Sequence, residues 1–232
     1  MKFDIISLLP DALNGYYQNS ILGRAQKKGL ISIRNHDLRS YATDKYRHVD
    51  DTPYGGGPGM VLRIDIVHRA LSAIYRPKGD RPLGGKKQNV KTRVILLTPR
   101  GKTFDQRMAK RLTKYDRVIL IAGRYEAIDA RIDHFVDEKI SLGNFLMTGG
   151  ELAAAAVVDS VARLLPGVLG AAASLDRESF SEFKKGSTNV EYPQYTRPEV
   201  YKKLRVPKML LSGDHGSIAQ WRAEKSGFKK IV

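Results

Sequence analysis

Two nearly continuous apolar runs, "TRVILLTP" from Thr92 to Pro99 and "DRVILIAG" from Asp116 to Gly123, bracket a short amphipathic segment. Nothing else in the chain constrains its fold as strongly. Apolar runs without polar alternation suit strands covered on both faces, as in a parallel sheet. Between them, "TFDQRMAKRLTKY" puts Phe104, Met108 and Leu112 on one helical stripe, and Thr103 with Gln106 has capping-box spacing. Strand, helix, strand is a crossover unit, so the expected class is α/β with a mainly parallel sheet. "FDIISLL" and "ISIRNHDL" add two strand-like runs, and further helices are expected from Ala12 to Gln26, Ile64 to Tyr75 and Gly150 to Leu165.

The chain has 232 residues, enough to bury a substantial core. It contains no cysteine, which rules out a disulfide framework and a thiolate metal site and makes an intracellular enzyme the default. The opening "MKFDIISLLPDAL" meets Pro10 and Asp11 too soon for a signal peptide or a membrane span, so a cytoplasmic protein without membrane association is expected. Forty Lys plus Arg against 24 Asp plus Glu give a formal charge of +16. The expected partner is a polyanion, set against the plainer reading of a solvated basic surface. Favouring the polyanion, "RNHDLRSYATDKYRHVDD" interleaves cations with Tyr and His, a mixture able to pair phosphates and stack bases.

No repeat of solenoid or propeller period occurs. Past Leu165, "PGVLGAAASLDRESFSEFKKGSTN" has no sustained periodicity and reads as a flexible linker over 166–189, leaving 1–165 as the main domain. The remaining 190–232 contains two capping-box patterns, Thr196 with Glu199 and Ser217 with Gln220, and reads as a small helical domain. "RPKGDRPLGGKKQN", from Arg76 to Asn89, reads as a mobile basic loop.

The segment "TPYGGGPGMV", Thr52 to Val61, puts four glycines and two prolines into ten residues. It matches neither the dinucleotide fingerprint nor the phosphate loop, no nucleophile elbow exists, and the five histidines are scattered singly without paired metal spacing. What stands out is a set of loops after strands: "LLTPRGKTF", "LIAGRYEAID" and "ISLGNFLMTGGELAAA". Open parallel sheets bind ligands beyond the carboxyl ends of their strands, so these loops should converge on one crevice. Taken singly, Gly123 reads as a turn, and Gly149 with Gly150 reads as a first helical turn capped by Thr148 and Glu151.

Six stretches in order, "DDTPYGGGPGMV", "LLTPRGKTFDQ", "AGRYEAID", "SLGNFLMTGGEL", "ARLLPGVLG" and "YPQYTRPEVY", closely resemble the bacterial tRNA (guanine-N1)-methyltransferase family of the SPOUT class. The resemblance covers essentially the whole chain. It implies a homodimer, a deep trefoil knot toward the C-terminal end of the catalytic domain, S-adenosylmethionine as methyl donor, and the tRNA guanosine immediately 3′ of the anticodon as target. Donor-binding residues implied by it are Pro99; Gly123, Arg124, Tyr125 and Glu126; and Leu142, Gly143, Asn144, Phe145, Leu146, Met147, Gly149 and Gly150. Pro58, Gly59 and Ser174 fall on the substrate side. Lys202, Lys203, Arg205 and Lys208 become candidate phosphate contacts of a C-terminal domain that clamps the anticodon stem-loop. Mg²⁺ is compatible with the resemblance, and no ligand cluster in the sequence locates it.

Methylation at N1 of guanine requires loss of the N1 proton as the ring nitrogen attacks the sulfonium methyl, hence a general base. Negative charge spreads toward O6, where a fixed guanidinium lowers the barrier. By resemblance the arginine is Arg163 and the base is Glu178. Here the chain departs from the family pattern, which carries aspartate at the Glu178 position; Asp176, two residues earlier, is the alternative base. Asn144 is a second departure, replacing a frequent aspartate beside the donor loop. A non-catalytic RNA-binding protein and a knotted methyltransferase acting on ribosomal RNA or a ribose hydroxyl are the competing readings.

Overall fold

The computed structural model describes residues 1–75, 90–170, 178–181, 183–184 and 187–230. The expected basic loop at 76–89 lies outside these residues, as does much of the expected linker. The chain divides into two units, Met1–Gly170 and Ala171–Val232.

The first unit is built on β1 (Lys2–Ser7), α1 (Asn14–Gln18), α2 (Ser20–Lys27), β2 (Ser32–Asp37), β3 (Asp50–Asp51), β4 (Val61–Leu62) and α3 (Ile64–Ile74). There follow β5 (Thr92–Thr103), α4 (Gln106–Leu112), β6 (Arg117–Ala122), β7 (Ala127–Ile128), β8 (Glu138–Ser141) and α5 (Glu151–Ala162). The main sheet runs β2-β1-β6-β5-β8, and every pairing in it is parallel. In register, Leu120 sits between Ile5 and Ile95.

Side chains alternate across a strand, so one strand feeds two cores. Phe3, Ile5, Ile95, Leu97, Leu120 and Ile140 join the layer under α5, where Ala154, Val157, Val158 and Val161 are fully buried. Ile6, Val94, Leu96, Ile119 and Ile121 join the other layer, under Ile66, Val67 and Leu71 of α3. Coverage on both faces is why Val94–Leu97 and Val118–Ala122 are apolar without interruption.

Several boundaries differ from the sequence expectation. The helix expected from Ala12 to Gln26 is two, because Ser20 takes a φ of 52° and the Gln18 carbonyl packs where any Cβ on Gly23 would lie. Thr103 does not cap α4; it belongs to β5 and pairs with Ser141, while Asp105 accepts from Met108 N at 2.8 Å. An aspartate in extended backbone just before the first turn is the better placed acceptor.

The second unit holds β9 (Phe183–Lys184), β10 (Ser187–Val190), β11 (Val200–Tyr201), β12 (Leu204–Arg205), α6 (His215–Lys225) and β13 (Gly227–Lys230). It is therefore mixed rather than purely helical. The stretch with Thr196 and Glu199 forms no helix: Pro198 biases its predecessor away from αR, and Val200 and Tyr201 pair with Arg205 and Leu204 as a hairpin. Lys202 and Lys203 make the turn with φ of 45° and 69°. Positive φ at both central residues fits the two-residue turn that matches strand twist. The cap of α6 is Asp214, which accepts from Gly216 N and Ser217 N, three residues ahead of the expected Ser217.

Midway along β1, buried Asp4 joins three strands. Its oxygens accept from Arg117 Nε at 2.6 Å and meet His36 Nε2 at 2.7 Å, and Arg117 Nη1 also donates to the Ile74 carbonyl that ends α3. Burial pushes the Asp4 carboxyl up, but the hydrogen bonds from His36 and Arg117 outweigh it and hold the group below the ordinary aspartate value of 3.8. The stabilisation is thus present above the unfolded-state pKa and lost as pH falls through the depressed native value. Asp4→Asn should cost about 3 kcal/mol at neutral pH, the low end for breaking a buried pair because Arg117 stays partly hydrated. In urea titrations the gap between wild type and variant should be constant around neutrality and narrow only in strong acid. A gap that already narrows between neutrality and mild acid would overturn the assignment to the Asp4 carboxylate.

Candidate active site

Three loops leave the carboxyl ends of adjacent strands. Leu97 pairs with Ala122, so Thr98 and Pro99 emerge beside Gly123. The far part of β5 then returns to β8, with Lys102 opposite Ile140 and Thr103 opposite Ser141, and Phe104 N donates to Ser141 O at 2.8 Å. Gly101 sits where any Cβ would run into the Ile140 backbone. The sequence places a glycine there because two strands touch.

A second close approach brings the third loop in. Gly150 N donates to Gly123 O at 2.8 Å, and a Cβ on Gly150 would lie 2.8 Å from Ala122 Cα. The start of α5 therefore rests directly on the end of β6. Ser141 Oγ braces the same loop through Gly143 N and O, at 3.2 Å and 3.1 Å. Beyond it Asn144, Phe145, Leu146 and Met147 face solvent, Leu146 at 85%.

The glycine-rich loop forms a wall beside these segments. Val61 and Leu62 of β4 run parallel to Ala127 and Ile128 of β7, and Glu126 N donates to Met60 O at 3.1 Å. Gly55, Gly56, Gly57 and Gly59 all have positive φ, and a Cβ on Gly59 would collide with the Glu126 side chain. Pro58 and Gly59 thus lie against the loop holding Gly123, Arg124, Tyr125 and Glu126.

The expected capping role of Thr148 and Glu151 is not found: α5 has Gly150 at its N-cap and no side-chain cap. Glu151 turns inward instead and is 6% exposed. Its Oε1 accepts from Ser7 Oγ at 2.7 Å and from Arg124 Nε at 2.9 Å. Ser7 in turn accepts from Leu9 N at 2.9 Å. A buried carboxylate needs such partners, and two inward donors outcompete a cap exposed to water. Sequence reasoning missed both Ser7 and this role of Glu151. The signal it could have used is a serine closing the buried Phe3–Ile6 run together with a carboxylate that follows two glycines.

The remaining site residues belong to other segments of the chain. Arg163 is the C-cap of α5 and half-buried, about 18 Å along the helix from Glu151 at 1.5 Å per residue. Glu178 belongs to the second unit; its carbonyl accepts from Asn189 Nδ2 at 3.0 Å and Ser181 N at 3.2 Å, which ties this segment to β10. Asp176 and Ser174 lie outside the described residues. Lys202, Lys203 and Arg205 share one exposed hairpin, with Lys202 Nζ 5.5 Å from the Tyr201 ring centroid, and Lys208 begins an exposed 3₁₀ turn. Among the described residues no group of three or more metal-ligating side chains occurs, and no helix is long and apolar enough to cross a membrane.

Comparison with known proteins places this geometry. The family described as tRNA (Guanine-1)-methyltransferase TrmD matches residues 1–231. A tRNA (guanine-N(1)-)-methyltransferase of Chloroflexus aggregans is 48% identical over 223 residues, 96% of this chain and 81% of that protein. Proteins of the same name from Heliobacterium modesticaldum and Geobacter sulfurreducens are 45% and 44% identical, covering 99% and 97% of this chain and 81% and 86% of their own lengths. A match along nearly the full chain, spanning both units and every loop described above, means that the chain belongs to the tRNA (guanine-1)-methyltransferase family.

Proposed function

We propose that the protein transfers a methyl group from S-adenosylmethionine to N1 of the tRNA guanosine immediately 3′ of the anticodon, in the cytoplasm, as a two-fold dimer with a knotted catalytic domain. The observation that carries this reading is the convergence of three glycine-bearing loops at the carboxyl ends of β5, β6 and β8, in a chain of this family. Where Gly101 and Gly150 bring backbones into contact, the loops are held rigidly enough to present main-chain amides and carbonyls to an adenine. The knot is supported by the chain's path: β8 is an edge strand beside β5, yet α5 begins against Ala122 and Gly123 of β6. Transfer of tritium from labelled donor to total tRNA, followed by nucleoside identification, tests the reaction. A pure RNA-binding protein would show no saturable donor site, and an enzyme of ribosomal RNA or ribose would yield a different nucleoside.

The donor supplies an electrophilic methyl; the chain's own residues supply a base and a charge. Glu178 takes the N1 proton, and Arg163 stabilises the charge developing at O6. Glu178→Gln should keep the fold and donor binding and lose about 10²-fold or more in single-turnover rate, while Glu178→Asp retains much of it. A near-normal Gln variant beside a dead Asp176→Asn would move the base by two residues. Arg163→Ala should lower the rate with donor affinity unchanged; a loss confined to thermal stability would make it a structural residue.

Dimerisation is supported by the exposed Phe145, Leu146, Met147 and Leu152, a concentration of apolar surface around the start of α5. It is also supported by Arg163, which stands a helix length from its own loops and would reach the partner's if two copies of α5 pack in opposite directions. Two inactive parents, Glu178→Gln and Gly123→Leu, should then complement. After subunit exchange about half the dimers are mixed, and one of their two sites is intact, giving about a quarter of the wild-type sites. No recovery, with exchange confirmed independently, would place base and donor loops in the same chain.

Lys202, Lys203, Arg205 and Lys208 are assigned to tRNA phosphates, which fix register without reading sequence. The logarithm of tRNA affinity should fall linearly with the logarithm of salt, by about 0.7 per phosphate neutralised in single-stranded segments. Lys202→Ala with Lys203→Ala should lower that slope; an unchanged slope would remove the hairpin from the interface.

A further inference from the structure

We infer that Arg124 is the carboxylate receptor of the donor site, its terminal nitrogens gripping the amino-acid end of S-adenosylmethionine while Glu151 positions it. The inference rests on the reading of the three loops as the donor site and goes beyond it by giving one side chain a ligand atom. Arg124 uses only Nε internally, in the 2.9 Å contact with Glu151 Oε1. Among the described residues, Nη1 and Nη2 donate to nothing. A guanidinium with its inner edge fixed and its outer fork unspent is a preorganised receptor for a planar oxyanion, because the two parallel N–H bonds match a carboxylate.

Its placement fits that use. A Cβ built on Gly149 would lie 2.8 Å from Arg124 Nε and 2.9 Å from Cζ, so the guanidinium lies over the loop that leads into α5. The same Cβ would collide with Glu151 Oε2, so the pair occupies the space a side chain at 149 would need. The Arg124 side chain is 28% exposed, recessed but open to a ligand. Behind it Glu151 is fixed to β1 through Ser7, and the amino end of twelve-residue α5 adds partial positive charge. The donor carries a single anionic group, the carboxylate of its amino-acid end. A tRNA phosphate is the other source of the same chemistry.

Calorimetry on the full-length dimer with S-adenosylhomocysteine and its decarboxylated counterpart separates these. Wild type should prefer the carboxylated ligand by about 10- to 100-fold, the scale of charge-assisted hydrogen bonds. Arg124→Gln should abolish the preference while leaving affinity for the decarboxylated ligand within about twofold of wild type. Arg124→Lys should keep part of it, since an ammonium supplies charge without the fork. Glu151→Gln should reduce the preference by releasing the guanidinium, a ratio that a general loss of stability would not move. A preference that survives Arg124→Gln overturns the assignment. So does an intact preference accompanied by weaker tRNA binding, which would give Arg124 to a phosphate. Failure of wild type to bind either ligand would overturn the donor site itself together with the assignment.

Discussion

The contact between the start of α5 and the end of β6 is the constraint from which the site follows. Gly150 N donates to Gly123 O, with the Ala122 Cα so close that no side chain fits between them. Helix-to-strand contact at this distance requires glycine, and it fixes the loops before and after it in one step. Because α5 then runs over the layer containing Val118 and Leu120, its alanines and valines can be fully buried. Each buried valine contributes about 1.5–3 kcal/mol of transfer free energy, so the core holds the helix and the helix holds the loops. Rigidity at the site is thus a consequence of packing some distance below it.

The sequence was most legible where one force dominated. The runs from Thr92 and Asp116 are strands because both faces are buried, and no other pattern satisfies two apolar layers at once. It was least legible where two local preferences competed. Thr103 and Gln106 had the spacing of a capping box, but Thr103 was already committed to pairing with Ser141, and Asp105 took the cap. The same competition turned the stretch with Thr196 and Glu199 into a hairpin, because proline and β-branched neighbours act locally whereas a four-residue capping pattern carries little energy unless the helix exists.

Glu151 was illegible for a different reason. Its partners Ser7 and Arg124 are 144 and 27 residues away in sequence, and no periodicity encodes a contact of that kind. Among the expected site residues, Gly150 answers to backbone geometry, since the Ala122 backbone lies where its Cβ would be. Arg163 was named by resemblance; at the C-cap of α5 a cation is placed favourably against the dipole whether or not it meets a substrate, so local physics does not single it out.

Two buried carboxylates, each bound to an arginine, carry the same chemical motif in different states of completion. Midway along β1, Asp4 spends both oxygens, and Arg117 donates through Nε to Asp4 and through Nη1 to the Ile74 carbonyl. At the carboxyl ends of the strands, Glu151 is also buried, yet among the described residues Arg124 donates through Nε alone. A guanidinium engaged on two sides contributes to holding strands and helix together. One engaged on a single side costs ordering entropy and partial desolvation without the full return in hydrogen bonds. That cost falls where the loops meet, beyond the carboxyl ends of a parallel sheet, where such folds bind ligands. The difference in saturation, rather than the presence of charge, distinguishes the arginine that builds the fold from the arginine available to a ligand.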